Sequence, residues 1–366
     1  MRLSVAVQIA SGAAAVSAAV LPNTSKRDQL VPFEYKFPTM SLDEFNAQVS
    51  SHNSSSSSST TQGQTTTAAA EDGGGGGTVS TQAECASPFV RVEWRNMADA
   101  DKLSFIKAIG CLWDAPAQGL APPATNRYEE LVWVHQQMTN TIHNAGIFLP
   151  WHRYYLWTFS RLLREECGYA APLPWWNEVA DSGNFAASGL FTDDYFGALP
   201  PINNGQGTCI TNGEFGGRPL HIGPGSSNTE RCLSRGEDTS VTSNVNQNFV
   251  NQCNSQGAYS DMEMCNERGP HGYGHNGLGP VMAEVSASPS DPVFFMHHSF
   301  VDHMWNQWQR SDASRFTAVG GCAAPGDNCS PMTASTTLSS MGLRPDVTVG
   351  DMLDIRGESL CYDYDS

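Results

Sequence analysis

Residues 140–157 have the sequence NTIHNAGIFLPWHRYYLW and carry two histidines, His143 and His152. A third, His135, lies eight residues before His143 in a run with helical spacing of apolar residues. Imidazole is the side chain that most often binds metal ions near neutral pH. Three histidines in one aromatic-rich, helical stretch therefore predict a metal site.

A second set of three histidines lies further along the chain. His271 and His275 occur in GPHGYGHNG, residues 269–277, and His298 occurs in DPVFFMHHSFVDHMW, residues 291–305. A spacing of four puts His271 and His275 on one face of a helix. The two triplets predict two metal ions side by side. Because no carboxylate recurs at ligand spacing and the His-Glu-x-x-His pattern is absent, a dizinc hydrolase is disfavoured.

The adjacent histidines His297 and His298 point about 100° apart on a helix, so one of them should face the metal. His298 shares a helical stripe with Phe294, Val301 and Trp305. We assign His298 as the ligand and His297 to a supporting or packing position. Asp302 is interpreted either as an acid that orients a ligand histidine or as an exposed helix acid.

The apolar spacing predicts several helices within residues 85–366, which we expect to form one catalytic domain. Asp291 is a suitable N-cap, and Pro292 a suitable first residue, for the helix that carries His298. Residues 200–265 are rich in Asn, Gly, Ser and Gln. We expect them to form a long, disulfide-stapled loop region with few regular elements.

The N-terminal part of the chain has the features of an exported protein. Residues 1–19 resemble a secretory signal peptide, and residues 20–84 are predicted to be a pro-segment followed by a flexible linker that starts at Ser50. Ten cysteines predict up to five disulfides, and Asn23, Asn53 and Asn328 each begin a glycosylation sequon. We therefore predict a secreted, extracellular glycoprotein.

The charge balance restricts the class of partner. The formal net charge is −17, from 37 acidic and 20 basic residues. A phosphate backbone requires a basic surface, so nucleic-acid binding is disfavoured. After the signal-like segment no stretch is long and apolar enough to span a membrane.

The histidine motifs resemble those of a known family. The spacing His135-x7-His143-x8-His152, with FLPWHRYY, resembles the first copper site of tyrosinases and related polyphenol oxidases. His271-x3-His275 followed by DPVFFMHH resembles their second site. The EWR at residues 93–95 and the CYDY at residues 361–364 resemble the borders of the family's domain. The resemblance covers residues 85–366 and is nearest to the short, secreted fungal members.

The resemblance implies a mainly helical fold, with a four-helix bundle around a dinuclear copper site, long loops and a few short strands. The implied copper ligands are His135, His143, His152, His271, His275 and His298. O2 is the implied co-substrate, and the substrate is a small phenol. Imidazole alone suits copper, zinc and iron alike, so the choice of copper rests on the resemblance.

Two positions depart from the pattern of many family members. Thr141 stands where those members have a cysteine that is crosslinked to the second ligand. Gly272 stands where enzymes that hydroxylate monophenols often have Asn, which helps a glutamate orient a water. Glu267 is a candidate for that glutamate. Asn276, and Val285 above the copper pair, are candidates for tuning the approach of substrate.

These observations favour an enzyme that oxidises o-diphenols to o-quinones, with weaker hydroxylation of monophenols. The alternatives are a tyrosinase proper with substantial monophenol or o-aminophenol activity, and a non-catalytic oxygen carrier of hemocyanin type. No shielding domain follows Tyr364 in this sequence, which favours the enzyme over the carrier. The oligomeric state is not predicted.

Overall fold

A computed structural model describes residues 30–34, 36–56, 83–326 and 328–366. The predicted signal peptide and residues 57–82 of the predicted linker lie outside these ranges. The helices α1 to α9 are Leu42–Ser56, Asp99–Asp114, Arg127–Ile142, Phe148–Cys167, Thr239–Thr242, Gln247–Asn254, Tyr259–Asn266, Gly272–Leu278 and Val293–Arg310. The strands β1 to β9 are Leu30–Pro32, Phe89–Arg91, Gln206–Cys209, Pro219–Leu220, Arg231–Cys232, Ser234–Arg235, Thr337–Leu338, Val347–Thr348 and Tyr362–Tyr364. No helix in the described ranges is long and apolar enough to cross a membrane.

Four long helices form the centre of the molecule. Helix α4 packs against α2, α3 and α9, and α2 also packs against α3. Their facing side chains belong to one large buried cluster that includes Trp151, Phe159 and Trp305. The strands are short and lie in one three-stranded and three two-stranded sheets. The predicted mainly helical class, with disulfide-stapled loops and a few short strands, is confirmed.

The ends of α3 and α4 place the first histidine triplet. The Asn126 side chain caps α3 by accepting from the Glu129 backbone N–H at 2.9 Å. Helix α3 ends at Ile142, and His143 follows in extended conformation (φ −121°, ψ 153°). Because α4 begins at Phe148, His152 lies within its second turn. His143 therefore lies in the turn between two helices that carry His135 and His152.

The start of α9 differs from the prediction by one residue. The helix begins at Val293, and Pro292 occupies the cap position. Asp291 Oδ1 accepts from the Val293 backbone N–H at 3.1 Å. The same buried carboxylate binds Arg235 through two hydrogen bonds of 2.7 and 2.8 Å. Asp291 thus accepts a hydrogen bond from the first residue of α9 and connects this end of the helix to β6 through Arg235.

The predicted loop region, residues 200–265, has few regular elements only up to residue 238, where four short strands lie. Residues 239–265 carry helices α5, α6 and most of α7, so the prediction was wrong there. Asn246 caps α6 by accepting from the Phe249 backbone N–H, and Phe249, Val250 and Cys253 form its buried face. Asparagine acted as a helix cap at this point, where the composition had suggested a loop.

All ten cysteines form disulfides, as the even count predicted. The pairs are Cys85–Cys361, Cys111–Cys167, Cys209–Cys232, Cys253–Cys265 and Cys322–Cys329. Cys85–Cys361 joins the start of the predicted domain to its end. Beside it, β2 and β9 pair in parallel.

Both interpretations of Asp302 were wrong. Its carboxylate is buried and binds Arg153 Nε at 2.5 Å and Arg91 Nη1 at 3.2 Å. It also accepts from the Tyr362 and Tyr364 hydroxyls at 2.5 Å each. Burial alone would raise the pKa of Asp302, but the two guanidinium groups and the tyrosine hydroxyls outweigh burial and lower it. The Asp302 carboxylate therefore connects α9 to α4, β2 and β9.

The N-terminal segment, residues 30–51, packs on the predicted domain. Strand β1 pairs antiparallel with β3, from Leu30 opposite Thr208 to Pro32 opposite Gln206. Ser41 and Glu44 form a capping box at the start of α1, with the Glu44 carboxylate 2.7 Å from the Ser41 backbone nitrogen. Phe45 is buried in a cluster with Phe249 and the Cys253–Cys265 disulfide. Helix α1 runs to Ser56, so the predicted linker begins later than Ser50.

Candidate dinuclear metal centre

The structure brings all six predicted ligand histidines together in two buried groups. In the first group, His135, His143 and His152 each offer a ring nitrogen within 4.8 Å of the others. The second group comprises four histidines whose ring nitrogens also lie within 4.8 Å of one another: His271, His275, His297 and His298. These side chains are at most 5 % exposed. They come from α3, the turn after it, α4, the turn before α8, α8 and α9.

The two groups are neighbours. The rings of His152 and His298 stack with their centroids 4.5 Å apart, and His143 lies 6.4 Å from His271. Glu267–His271 forms a wide π-type turn that continues into α8 and brings His271 to this position. Each group could hold one metal ion, so the structure offers two candidate metal sites next to each other.

Five of the six predicted ligands hold their rings in the same way. The Nδ1 atom of each lies 2.8–3.0 Å from a backbone carbonyl oxygen. The carbonyls belong to Ser286 for His135, Thr139 for His143, Phe148 for His152, Glu267 for His271 and Met282 for His275. A hydrogen on Nδ1 leaves Nε2 with its lone pair, which is the arrangement that metal-binding histidines use. Nε2 of His135, His152 and His271 is buried and has no partner among the described residues.

Burial keeps these imidazoles neutral. It lowers the pKa of His135 to about 3 and that of His143 to about 4. Burial, together with neighbouring histidines, also holds the pKa of His152, His271 and His298 well below the usual range. A metal ligand must be deprotonated, so the groups are in their ligating form at neutral pH.

His298 differs from the other five. Its Nε2 lies 3.2 Å from His275 Nε2, and its Nδ1 is buried without a partner among the described residues. The neighbouring His297 uses Nδ1 to bind Glu178 Oε1 at 2.7 Å. Gly274 leaves room for this pair, since a Cβ there would lie 2.5 Å from the His297 ring. A buried carboxylate therefore holds the ring of His297, whereas Nε2 of His298 faces Nε2 of His275.

Val285 lies in the loop between Gly279 and Ala287, which contacts both groups. The Ser286 carbonyl receives His135 Nδ1 and the Met282 carbonyl receives His275 Nδ1. Glu284 folds back to accept from the backbone N–H of Ala287 at 2.7 Å. Val285 is half-buried in this loop, next to the residue that positions His135.

Glu267 lies at the turn before His271 and is buried. Its Oε1 accepts from the Asn144 backbone N–H at 2.7 Å, directly after His143. Burial raises the pKa of Glu267 to about 7. Burial and the charge of Glu267 also raise the pKa of the neighbouring Glu263. Two buried carboxyl groups thus share a proton-binding position beside the first group.

Gly272 and Asn276 both contact the N-terminal segment. A Cβ at Gly272 would lie 2.9 Å from the Pro38 carbonyl oxygen. The Asn276 side chain pairs with the backbone of Phe37, donating to its carbonyl at 3.0 Å and accepting from its N–H at 3.3 Å. The Phe37 ring stacks on His275 with centroids 3.9 Å apart. Sequence reasoning missed Phe37 because the residues that it contacts lie more than 100 residues away and no local pattern marks it.

Comparisons with known proteins agree with this geometry. Residues 125–311 match the family model described as the common central domain of tyrosinase. Tyrosinase P from Aspergillus terreus is 32% identical over 333 residues, covering 76% of this chain and 93% of that protein.

The chain belongs to the tyrosinase family.

Other members of the tyrosinase family are also similar to the chain. N-acetyl-6-hydroxytryptophan oxidase from Emericella nidulans is 28% identical, covering 78% of this chain and 94% of that protein. A variant of polyphenol oxidase from Thermothelomyces thermophila shares the fold, with a TM-score of 0.68 at 24% identity, covering 76% of this chain and 89% of that one.

Membership of the tyrosinase family implies a dinuclear copper centre, and the residues present fit one. The fit rests on the buried, partnerless Nε2 atoms of His135, His152 and His271. Neutral imidazoles are suitable ligands for copper. Backbone carbonyls hold the ring orientations of five of the six histidines.

Proposed function

We propose that the protein oxidises o-diphenols to o-quinones with O2 at a pair of copper ions. The observation that carries the proposal is the pair of adjacent, buried histidine groups, in which backbone carbonyls hold Nδ1 of five of the six proposed ligands. His135, His143 and His152 would bind one ion. His271, His275 and His298 would bind the other.

The reaction balances without a further reductant. Two catechols release four electrons and four protons, and these reduce one O2 to two waters. Bound copper supplies the electron-transfer chemistry with O2, and the protein supplies geometry and access. Backbone carbonyls hold Nδ1 of His135 and His152, which leaves Nε2 of each free to bind an ion, while burial keeps protons off the rings.

Glu267 is the candidate for handling a substrate proton. A carboxyl group with a pKa of about 7 accepts and releases a proton readily near neutral pH. Its Oε1 is held by the backbone N–H that follows His143. We propose that Glu267 orients a water that takes the proton from a phenolic hydroxyl.

The preference for diphenols over monophenols is proposed from Gly272. This residue has no side chain with which to assist Glu267 in orienting a water. The absence of a cysteine at Thr141, which is half-buried in the last turn of α3, also rules out a thioether to His143. We propose weaker hydroxylation of monophenols for this reason, with Asn276 and Val285 shaping the approach of the ring. The names of two relatives, a tyrosinase and an N-acetyl-6-hydroxytryptophan oxidase, indicate that phenolic substrates vary within the family.

We further propose that the protein is secreted. The signal-like residues 1–19 support export, and so do the five disulfides that the structure contains. The division into signal peptide, residues 20–84 and a catalytic domain at residues 85–366 remains part of this proposal. Asn328 is exposed, as a glycosylated asparagine would need to be.

An oxygen carrier is the second candidate, and one observation favours it. Phe37 lies against the site and is only 5 % exposed, so the centre is covered. A covered centre can bind O2 while it excludes phenols. O2 consumption with a catechol separates the two functions, because a carrier binds O2 without consuming it.

The proposal is tested by metal analysis and O2 uptake on matched variants. We expect two coppers per chain, uptake with 4-methylcatechol, and slower uptake with 4-methylphenol. His143→Ala and His298→Ala should each lose one copper and the activity. His297→Ala should retain both coppers with about 10- to 100-fold weaker binding, because it removes a supporting contact and leaves the ligands in place.

Three results would contradict the proposal. Zinc in place of copper would exclude the redox chemistry. Full catechol oxidation by His298→Ala, with loss in His297→Ala, would exchange the roles of these two neighbours. Reversible O2 binding without consumption of 4-methylcatechol would favour the carrier.

A further inference from the structure

The N-terminal segment crosses the mouth of the dinuclear centre. Phe37 stacks on His275 at 3.9 Å between centroids, with an angle of 19° between the rings. It also contacts His271 and His143 edge-on, at 5.3 and 6.1 Å. One aromatic ring therefore touches ligands of both proposed copper ions. A phenolic substrate must bring its own ring to this same place to reach both ions.

From this contact we propose that residues 30–51 act as an internal inhibitor, with Phe37 occupying the position of the substrate ring. The inference rests on the proposed function, since it assumes that a phenol reacts at this centre. It adds a regulatory property that the proposed reaction does not require.

Specific contacts hold Phe37 in place. The Asn276 amide makes both a donor and an acceptor contact with the Phe37 backbone, as one strand residue would with another. The next residue, Pro38, passes so close to α8 that a Cβ at Gly272 would lie 2.9 Å from its carbonyl oxygen. Met40 donates its backbone N–H to the Arg268 carbonyl at 2.9 Å. The backbone from Phe37 to Met40 is thus fitted to the π-type turn and α8.

The segment is anchored on both sides of Phe37 and is loosely packed next to it. β1 is paired with β3 before the ring, and Phe45 is buried behind α6 and α7 after it. Between β1 and Phe37, a cavity of about 620 Å³ separates the segment from the loop that contains Pro280 and Glu284. The lining of this cavity includes Phe33 and Lys36, so the space lies beside the residues that lead into Phe37. We therefore expect an equilibrium between a closed and an open arrangement.

The size of the effect follows from that equilibrium. When only a fraction of the molecules is open, the apparent affinity for a ligand falls by that fraction. An open fraction of about 1–10% would weaken ring binding by about 10- to 100-fold. Removing the Phe37 ring should restore the lost affinity by the same factor.

The experiment compares Phe37→Ala with Phe33→Ala in the full, copper-loaded chain. Phe33 is half-buried on the same segment, four residues before Phe37, and lines the cavity. Benzoate, an aromatic ring without hydroxyl groups to oxidise, serves as a binding probe by equilibrium dialysis. We expect Phe37→Ala to bind benzoate, and to turn over 4-methylcatechol in kcat/KM, about 10- to 100-fold better than wild type. Phe33→Ala should match wild type in both.

Hydrogen exchange on the unchanged chain provides a measurement that needs neither variant nor turnover. The Phe37 N–H is bound to Asn276 and should exchange faster when saturating benzoate displaces it. The proposal is overturned if Phe37→Ala binds benzoate no better than wild type. It is also overturned if bound benzoate leaves exchange at Phe37 unchanged. If the proposed oxidase function is wrong, neither the wild type nor the two variants consume O2 with 4-methylcatechol, whatever the benzoate result.

Discussion

Replacing Asp302 with asparagine removes a buried negative charge that faces two arginines and two tyrosine hydroxyls. The four contacts span 2.5–3.2 Å. Arg153 is fully buried over the Trp305 ring, with its guanidinium carbon 3.6 Å from the ring centroid, so water cannot take over the role of the carboxylate. Breaking a buried ion pair by removing one partner costs about 3–5 kcal/mol. We expect Asp302→Asn to lower the free energy of unfolding by that amount.

The assay is urea denaturation of the metal-free protein with its disulfides intact, so that copper binding does not add to stability. Asp363→Asn is the matched control, because Asp363 pairs with Arg310, which is nearly half exposed, at 2.9 Å. An exposed pair of this kind contributes about 0.2–1 kcal/mol. A loss in Asp302→Asn no larger than in the control would refute the reasoning.

The pH dependence provides a second check on Asp302. Its pKa is lowered in the folded state, so its stabilising contribution is complete above the unfolded pKa of about 3.9. The contribution is lost as the pH falls from there through the folded pKa. The difference between wild type and Asp302→Asn should therefore shrink below about pH 4 and remain constant above about pH 5.

Two further predictions concern the residues around the second group. Gly272→Asn should raise the initial rate on 4-methylphenol relative to that on 4-methylcatechol, because it supplies an amide beside Glu267. Gly272→Ala is the control, because alanine adds the Cβ that meets Pro38 but no amide. An equal change in both variants would assign the effect to the N-terminal segment. Glu263→Gln should flatten the pH dependence of stability of the metal-free protein. Burial raises the pKa of Glu267 to about 7, so the carboxyl pair stabilises the fold fully below about pH 4.3 and loses this contribution as the pH rises through about 7. Urea denaturation at about pH 5 and about pH 8 measures the change, and an unaltered slope in Glu263→Gln would contradict it.

Helices α3, α4 and α9 and the two histidine triplets could be predicted from local patterns, whereas the four-helix bundle was implied by the family resemblance. The α3, α4 and α9 stripes are periodic over three or more turns, and their apolar faces must be buried together. Histidines on those faces are then carried into the same core. In α2, by contrast, Leu103 has the same helical spacing as the buried Ile106 and Ile109 and is nevertheless 37% exposed. Periodicity predicts a helix more reliably than it predicts the burial of any one residue in the helix.

Asp302 could not be interpreted from its own helix. Its partners come from β2, α4 and β9, up to 211 residues away. Only the parallel pairing of β2 with β9 brings Arg91, Tyr362 and Tyr364 to the same carboxylate. The EWR and CYDY motifs were expected to border the domain; strand β2, just before EWR, and strand β9, within CYDY, both reach this carboxylate.

The N-terminal segment also changes what Gly272 and Asn276 can be expected to control. Both were selected as neighbours of the ligand histidines, yet in the folded chain both contact residues 37–38. A substitution at either position therefore alters the closed arrangement as well as the environment of a bound phenol. Substrate preference measured on the full chain combines the energy needed to displace Phe37 with the selectivity of the open site. The energy needed to displace Phe37 is the same for a bulky phenol and for a small one. A ratio of their rates therefore reports the selectivity of the open site alone.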